Sequence, residues 1–417
     1  MKKTGFTNLQ LKVLLFVVVV LSFVGFQNIN RPNQAIGLGI NGHPVSQVAY
    51  SNSMGVNYAE QINLLQSAGA QWYRFDLAVS ATALTPIPIF GKKFTIPTAN
   101  NGQNFEQLDL LLALAQAKGI QLLPVLIPNI DRTDQSPAGL KTIYNKSLSA
   151  AYNFVSRYKN SIHVWELSNE EDNNCLISYP GAGNGDQISD YNIYTDPIVK
   201  GKNGNPTPTS VNSYLVTWAV LKGLSDGVHQ ADPTALRIID FAGWLHTEFL
   251  QLLQQTDPNN NPPLYTPVPY DIVGVHWYGG MGEITCPGQS LPCTPPIQHF
   301  NVIQRIQTIT SGKPMWMTET NYTPIVSDPG ANITAEEAYL PTTLQTYLNS
   351  PATYPFQNVF VYELLDEPAL ANPNFPNDHA DQAQMGLYQD TLSSTGHTTV
   401  GAPKPAYLSV QKLFYGK

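Results

Sequence analysis

The sequence predicts an α/β chain folded as a single (β/α)8 TIM barrel. Three observations carry this expectation. Eight short apolar runs alternate with eight longer segments of helical spacing. Most of the runs are too apolar to lie half exposed, which is how parallel strands buried on both faces read. No composition break, internal repeat or low-complexity tract divides the chain. One barrel can therefore occupy most of its 417 residues.

The elements follow in order. Ala35–Ile40 reads as the first strand, and Tyr58–Ala68 as a helix with Ile62, Leu64 and Leu65 on one face. Trp72–Leu77 is the second strand. Phe105–Lys118 repeats Leu at helical spacing and stops at Gly119. Leu122–Ile127, Ile162–Leu167, Leu236–Phe241, Ile272–Trp277, Met315–Thr318 and Val359–Leu364 are strands three to eight. The helices between and after them are expected at Ser147–Lys159, Ser210–His229, Thr247–Gln255, Ile297–Ile309, Ala335–Leu348 and Tyr407–Tyr415. Gly181–Pro208 and Asp366–Pro405 are long loops after strands four and eight, on the face where barrels keep their chemistry.

Composition narrows the partners. Charged residues are 12% of the chain, about half the usual share. The surface is therefore rich in Asn, Gln, Ser, Thr and Tyr. A formal net charge of -8 disfavours a dedicated nucleic-acid binder, which needs a basic surface. A neutral partner suits it.

The first residues read as a targeting segment. Lys2, Lys3 and Lys12 precede the apolar run Val13–Phe26, short for a bilayer span of about 20 residues. Residues 1–30 are expected to be a signal peptide or an uncleaved membrane anchor, and residues 31–417 the functional domain. The expected location is secreted, periplasmic or extracellular. Oligomeric state is not legible. Three cysteines exclude a disulfide framework. Cys286 and Cys293, close together in a Pro/Gly-rich loop, are an expected disulfide in an oxidising compartment, and Cys175 is left over.

The chemistry concentrates at strand ends. His163-Val-Trp-Glu-Leu-Ser-Asn-Glu-Glu-Asp172 ends strand four in acids, and Lys313-Pro-Met-Trp-Met-Thr-Glu-Thr-Asn321 ends strand seven in a single Glu. Both acids fall on one rim of the barrel. Two carboxylates across a cleft suit cleavage of a glycosidic bond: one protonates the leaving oxygen, the other meets the positive charge at the anomeric carbon. No His-Glu-x-x-His pair, G-x-S-x-G elbow or phosphate-binding glycine pattern is present. No metal site and no cofactor are expected.

Asn169-Glu170 after strand four and Glu319 after strand seven resemble clan A glycoside hydrolases, the retaining (β/α)8 group that includes families 5 and 39. The resemblance spans nearly the whole chain after about residue 34. It implies Glu170 as acid/base, Glu319 as nucleophile and Asn169 as a ligand of the sugar 2-hydroxyl. Arg74, in Trp72-Tyr-Arg-Phe-Asp76, matches the clan's arginine beside the nucleophile, where a cation keeps Glu319 ionised. His276 and Tyr278 match the strand-six pattern of two residues on one side of the strand: Tyr278 to hydrogen-bond Glu319, His276 to meet sugar or Glu170.

Two positions depart from the clan. Glu171 stands where many members have Pro, and either raises the pKa of Glu170 or points to solvent. Strand eight lacks the Trp that often floors the central subsite, leaving Tyr362 or Glu363 in its place. Trp316 is expected to support substrate, and Asn41 and His43, after strand one, to touch it. The implied activity is retaining hydrolysis of O-glycosidic bonds, β by the clan's habit, in a poly- or oligosaccharide. The alternative is a non-catalytic carbohydrate-binding barrel of the cell envelope.

Overall fold

The computed structural model describes residues 36–44, 58–79, 87–89, 92–94, 105–175, 208–243, 247–257, 261–287, 301–322, 329–368, 382–392 and 398–416. Eight parallel strands close into a barrel: β1 Gly37–Gly42, β2 Trp72–Val79, β3 Gln121–Pro128, β4 Val164–Glu166, β5 Leu236–Ile239, β6 Ile272–Tyr278, β7 Met315–Asn321 and β8 Phe356–Val361. They follow one another around the ring in chain order, and β8 closes on β1 through Gly37↔Asn358 to Ile40↔Val361. A helix follows each strand: α1 Tyr58–Ala68, α2 Phe105–Ala117, α3 Pro137–Tyr158, α4 Pro208–Ala231, α5 Thr247–Leu252, α6 Val302–Ile309, α7 Pro329–Asn349 and α8 Pro405–Tyr415. This is the expected (β/α)8 TIM barrel.

Some boundaries move, each for a local reason. α3 starts ten residues before its expected start at Ser147. Ser136 caps it by accepting from the Gly139 amide at 3.1 Å, and Pro137 fills the first turn, where its missing N–H costs nothing. α2 ends as expected, with Gly119 at φ 70° just beyond it. β8 begins earlier than expected and ends at Val361, so Tyr362 and Glu363 lie on the segment leaving the strand. β7 runs on to Asn321, with every residue buried.

The N-terminal end of the barrel is filled by Leu123, Val164, Ile238, Ile272, Trp316 and Phe360, with Trp72 and Leu236 packed against them. Phe360 lies so close over β1 that a Cβ on Gly39 would come within 2.3 Å of its ring. Of the connections after β4 and β8, residues 176–207 and 369–381 lie outside the described residues, and the latter connection contains an antiparallel hairpin, Tyr388–Leu392 with Thr398–Pro403. The expected targeting segment and Cys293 also lie outside them, so neither the segment nor the disulfide with Cys286 is visible. Among the described residues no helix is long and apolar enough to cross a membrane.

Candidate active site

The site is built around Arg74, on β2 and 2% exposed. A guanidinium has five N–H donors in a fixed fork, and all five are taken. Nε donates to Glu166 Oε2 at 2.7 Å, one terminal nitrogen to Asn41 Oδ1 at 2.9 Å and Glu319 Oε1 at 2.7 Å, and the other to Glu166 Oε1 at 3.0 Å and Asn169 Oδ1 at 2.8 Å. One side chain thereby ties β1, β4, β7 and the turn after β4 together at the C-terminal end of the barrel. Asn41 also donates to the Thr318 and Val361 carbonyls, at 3.0 and 3.3 Å, which fixes its oxygen toward Arg74.

Glu319 collects donors. Besides Arg74, the Tyr278 hydroxyl donates to its Oε2 at 2.5 Å, and His276 Nδ1 lies 3.5 Å from the same oxygen. Burial works to raise its pKa, but His276, Arg74 and the Tyr278 hydrogen bond outweigh it and hold the carboxyl below its ordinary value. Glu319 is held as a carboxylate.

His276 is fully buried between acids. Nδ1 is 2.7 Å from Glu170 Oε1 and Nε2 is 3.3 Å from Asp240 Oδ2. Burial disfavours its charge, yet Glu319, the Glu170 hydrogen bond and Asp240 push its pKa up to about 10. Nδ1 faces the Glu170 oxygen, while Nε2 lies between Asp240 and a terminal nitrogen of Arg74, 3.3 Å from each.

Glu170 stands on a tight turn. Ser168 and Glu170 take φ of 69° and 46°, in the left-handed region that residues with a Cβ seldom adopt. Neighbours hold this backbone. Both Asp240 oxygens accept from the Glu170 amide at 3.2 Å, and the Ser168 hydroxyl donates to Glu171 at 2.6 Å. Glu171 does not point to solvent: it is buried and forms a two-bond pair with Arg132, at 2.8 Å each. Its role is to clamp the turn. The Glu170 side chain stays 28% exposed, against 8% for Glu319. Asn173 donates to its Oε2 at 2.9 Å.

A pocket of about 410 Å³ opens over these groups, lined by Asn41, Gly42, His43, Arg74, Phe75, Asp76, Asn169, Glu170, Asn173, Tyr278, Glu319 and Tyr362. Thus Asn41, His43, Arg74, Asn169, Glu170, Tyr278 and Glu319 meet in one cavity as expected, with His276 directly behind them. Two expected residues do not. Trp316 is 4% exposed at the other end of the barrel, stacked 6.1 Å from Phe360 and edge-on to Trp72 at 5.2 Å. It is core, because it sits one residue into β7, far from the strand's C-terminal end. Glu363 is fully buried behind the wall, where its Oε2 lies 3.1 Å from His43 Nε2. Tyr362 lines the pocket instead, its ring edge-on to Tyr278 at 6.3 Å.

Glu166 and Asp240 were missed. Both are acids inside runs otherwise apolar enough to be buried, and a buried acid requires a cation or donors. That was the available signal. Asp76, also missed, lines the pocket mouth. His43, Glu363 and Glu367 bring an imidazole nitrogen and two carboxylate oxygens within 4.8 Å of one another, a donor set a divalent cation can take, and burial pushes both carboxyls well above their ordinary range.

No family model matches the sequence, and no curated protein does. Solved structures do match. A β-glucosidase from Thermotoga maritima in complex with noeuromycin shares 11% identity over 91% of this chain and 98% of its own, with a TM-score of 0.57. The virulence factor SghA from Agrobacterium tumefaciens shares 11% over 92% and 97%, with a TM-score of 0.54. A family 39 glycoside hydrolase from Bacteroides cellulosilyticus WH2 shares 18% over 91% of this chain, which spans 63% of that protein's length, with a TM-score of 0.49. At such identities the first two likenesses establish a shared barrel fold.

Proposed function

We propose that the protein is a retaining glycoside hydrolase acting on O-glycosidic bonds of a poly- or oligosaccharide. One observation carries this reading: Glu170 and Glu319 face one pocket from β4 and β7, with an oxygen of each within 4.8 Å of the other. Retaining enzymes keep their two carboxyl groups about 5–5.5 Å apart; inverting ones leave about 6.5–9.5 Å for a water. The short separation supports direct attack by a carboxylate.

Glu319 is the nucleophile. Held ionised by Arg74, His276 and Tyr278, its oxygen attacks the anomeric carbon. The bond to the leaving oxygen breaks, and Glu170, the more exposed of the pair, gives that oxygen its proton. Glu170 then takes a proton from water, whose oxygen attacks the same carbon and displaces Glu319. The free sugar leaves with its anomeric configuration retained, and both carboxyls return to their starting states. The matched β-glucosidase supports a β-linked substrate. The basic start and the apolar run Val13–Phe26 support export or membrane anchoring.

The test is proton NMR of the first product released from aryl β-glycosides and β-linked oligosaccharides. A β product at early time is expected. An α product from a β substrate would show inversion. No product from any substrate, with the protein folded, would favour the binding-only barrel.

A further inference from the structure

Asp76 is a pocket carboxylate that the proposed reaction does not use. It stands two residues after Arg74 on β2, so both project to the same side, with Asp76 nearer the C-terminal mouth. Among the described residues no hydrogen bond or ion pair reaches its carboxyl. Arg74 cannot serve it, because all five of its N–H groups are already donated. His43 Nε2 is engaged elsewhere, 3.1 Å from Glu363, 3.4 Å from Glu367 and 3.4 Å from the Tyr362 hydroxyl, and the imidazole acts on Asp76 through its field. Burial raises the Asp76 pKa against the pull of His43 and Arg74, as expected of a carboxyl short of donors. Desolvating such a group without partners is costly. A ligand that brings its own donors relieves that cost.

We propose that Asp76 is a specificity-determining residue that accepts hydrogen bonds from two adjacent ring hydroxyls of a neutral sugar in the pocket, and excludes sugars carrying a carboxylate. The assignment rests on the glycosidase reading above. A carboxylate offers two oxygens and only accepts, which matches a pair of hydroxyl donors. The remaining lining supports a neutral ligand: Asn41, Asn169, Asn173, Tyr278 and Tyr362 are uncharged. A uronate would face Asp76, Glu170 and Glu319 at once, with the charge of Arg74 already engaged.

The experiment compares wild type with Asp76→Asn, Asp76→Ala and Asp76→Glu on p-nitrophenyl β-glucoside, β-galactoside, β-xyloside, β-glucosaminide and β-glucuronide. Asp76→Asn should raise KM for the best neutral substrate about ten-fold and Asp76→Ala up to about a hundred-fold, the range for a hydrogen bond to a charged group. The fall in kcat should be smaller. Asp76→Glu should recover part of the loss, and Asp76→Asn should narrow the gap between glucoside and glucuronide. An unchanged KM in Asp76→Asn and Asp76→Ala would overturn the proposal. So would a wild-type preference for the glucosaminide that disappears in Asp76→Asn, since the group bound would then be an ammonium. Calorimetric binding of the same glycosides to Glu319→Gln, with and without Asp76→Asn, keeps the two readings apart. Weaker binding in the double variant sustains the Asp76 site even if turnover fails, and equal binding removes it even if turnover holds.

Discussion

The two ends of the barrel are made from the same eight strands and hold opposite chemistry. At the N-terminal end Trp72, Trp316, Phe360 and the aliphatic residues around them fill the interior without a formal charge. At the C-terminal end Arg74, Glu166, Asp240, His276 and Glu319 are packed together with 6% exposure or less. The first arrangement gains free energy by removing apolar surface from water. The second must offset the desolvation of every charge through neighbours, and does so only because each acid finds a donor. The difference teaches what each end answers for: substitutions at the lower end should act on folding alone, and those at the upper end on chemistry and on the response to pH as well as on folding.

Five tests can break or sharpen that division. The largest effect is expected for Glu319→Gln, a loss of turnover of about 10⁴-fold or more, the scale seen when a covalent nucleophile is removed. It should be read beside Trp316→Ala, which should destabilise by about 3–5 kcal/mol through a core cavity and leave KM unchanged in the folded fraction. A raised KM in Trp316→Ala would return this residue to the substrate site. Next comes Glu170→Gln, with about 10²–10⁴-fold loss on substrates whose leaving group needs a proton. Glycosides with an acidic phenol should lose much less in the first step, and equal losses on both would remove the proton-donor role.

Arg74→Met should follow, destabilising by about 3–5 kcal/mol by leaving Glu166 and Glu319 buried without their cation. Denaturant unfolding reads this out, and a neutral result would show that the acids are served by other donors. The smallest effect is in the pH dependence. His276 has its pKa raised to about 10, so its charge stabilises the fold fully below the ordinary value of about 6.5. That contribution is lost as pH rises from there through 10. The Tm advantage of wild type over His276→Gln should therefore be largest near pH 6 and shrink toward pH 10. Asp240→Asn should shrink it further by removing one acceptor. An advantage that grows with pH would mean that His276 is neutral.

Much of this was legible without coordinates. Apolar runs alternating with helical segments indicate a parallel sheet buried on both faces, and the count of eight such units points to the barrel. Strand counting puts the two acids at the ends of strands four and seven on one rim, and the resemblance to clan A adds Asn169, Arg74 and the His276-x-Tyr278 pair to the candidate site. What the sequence left open depends on distance between strands and on register. The five-bond hub at Arg74 joins residues up to 245 positions apart, so no local pattern announces it. Glu166 and Asp240 showed only that some cation or donor had to reach them. The assignment of Trp316 failed on depth, because it is the second residue of β7 and packs in the core cluster, while the pocket lies beyond the other end of the strand. Glu171, next to Glu170, faces Arg132 because two left-handed residues redirect the chain between them. The sequence by itself determined which residues could do the chemistry; tertiary structure decided which of them share a charge, since electrostatic partners are set by spatial approach and burial and not by position along the chain.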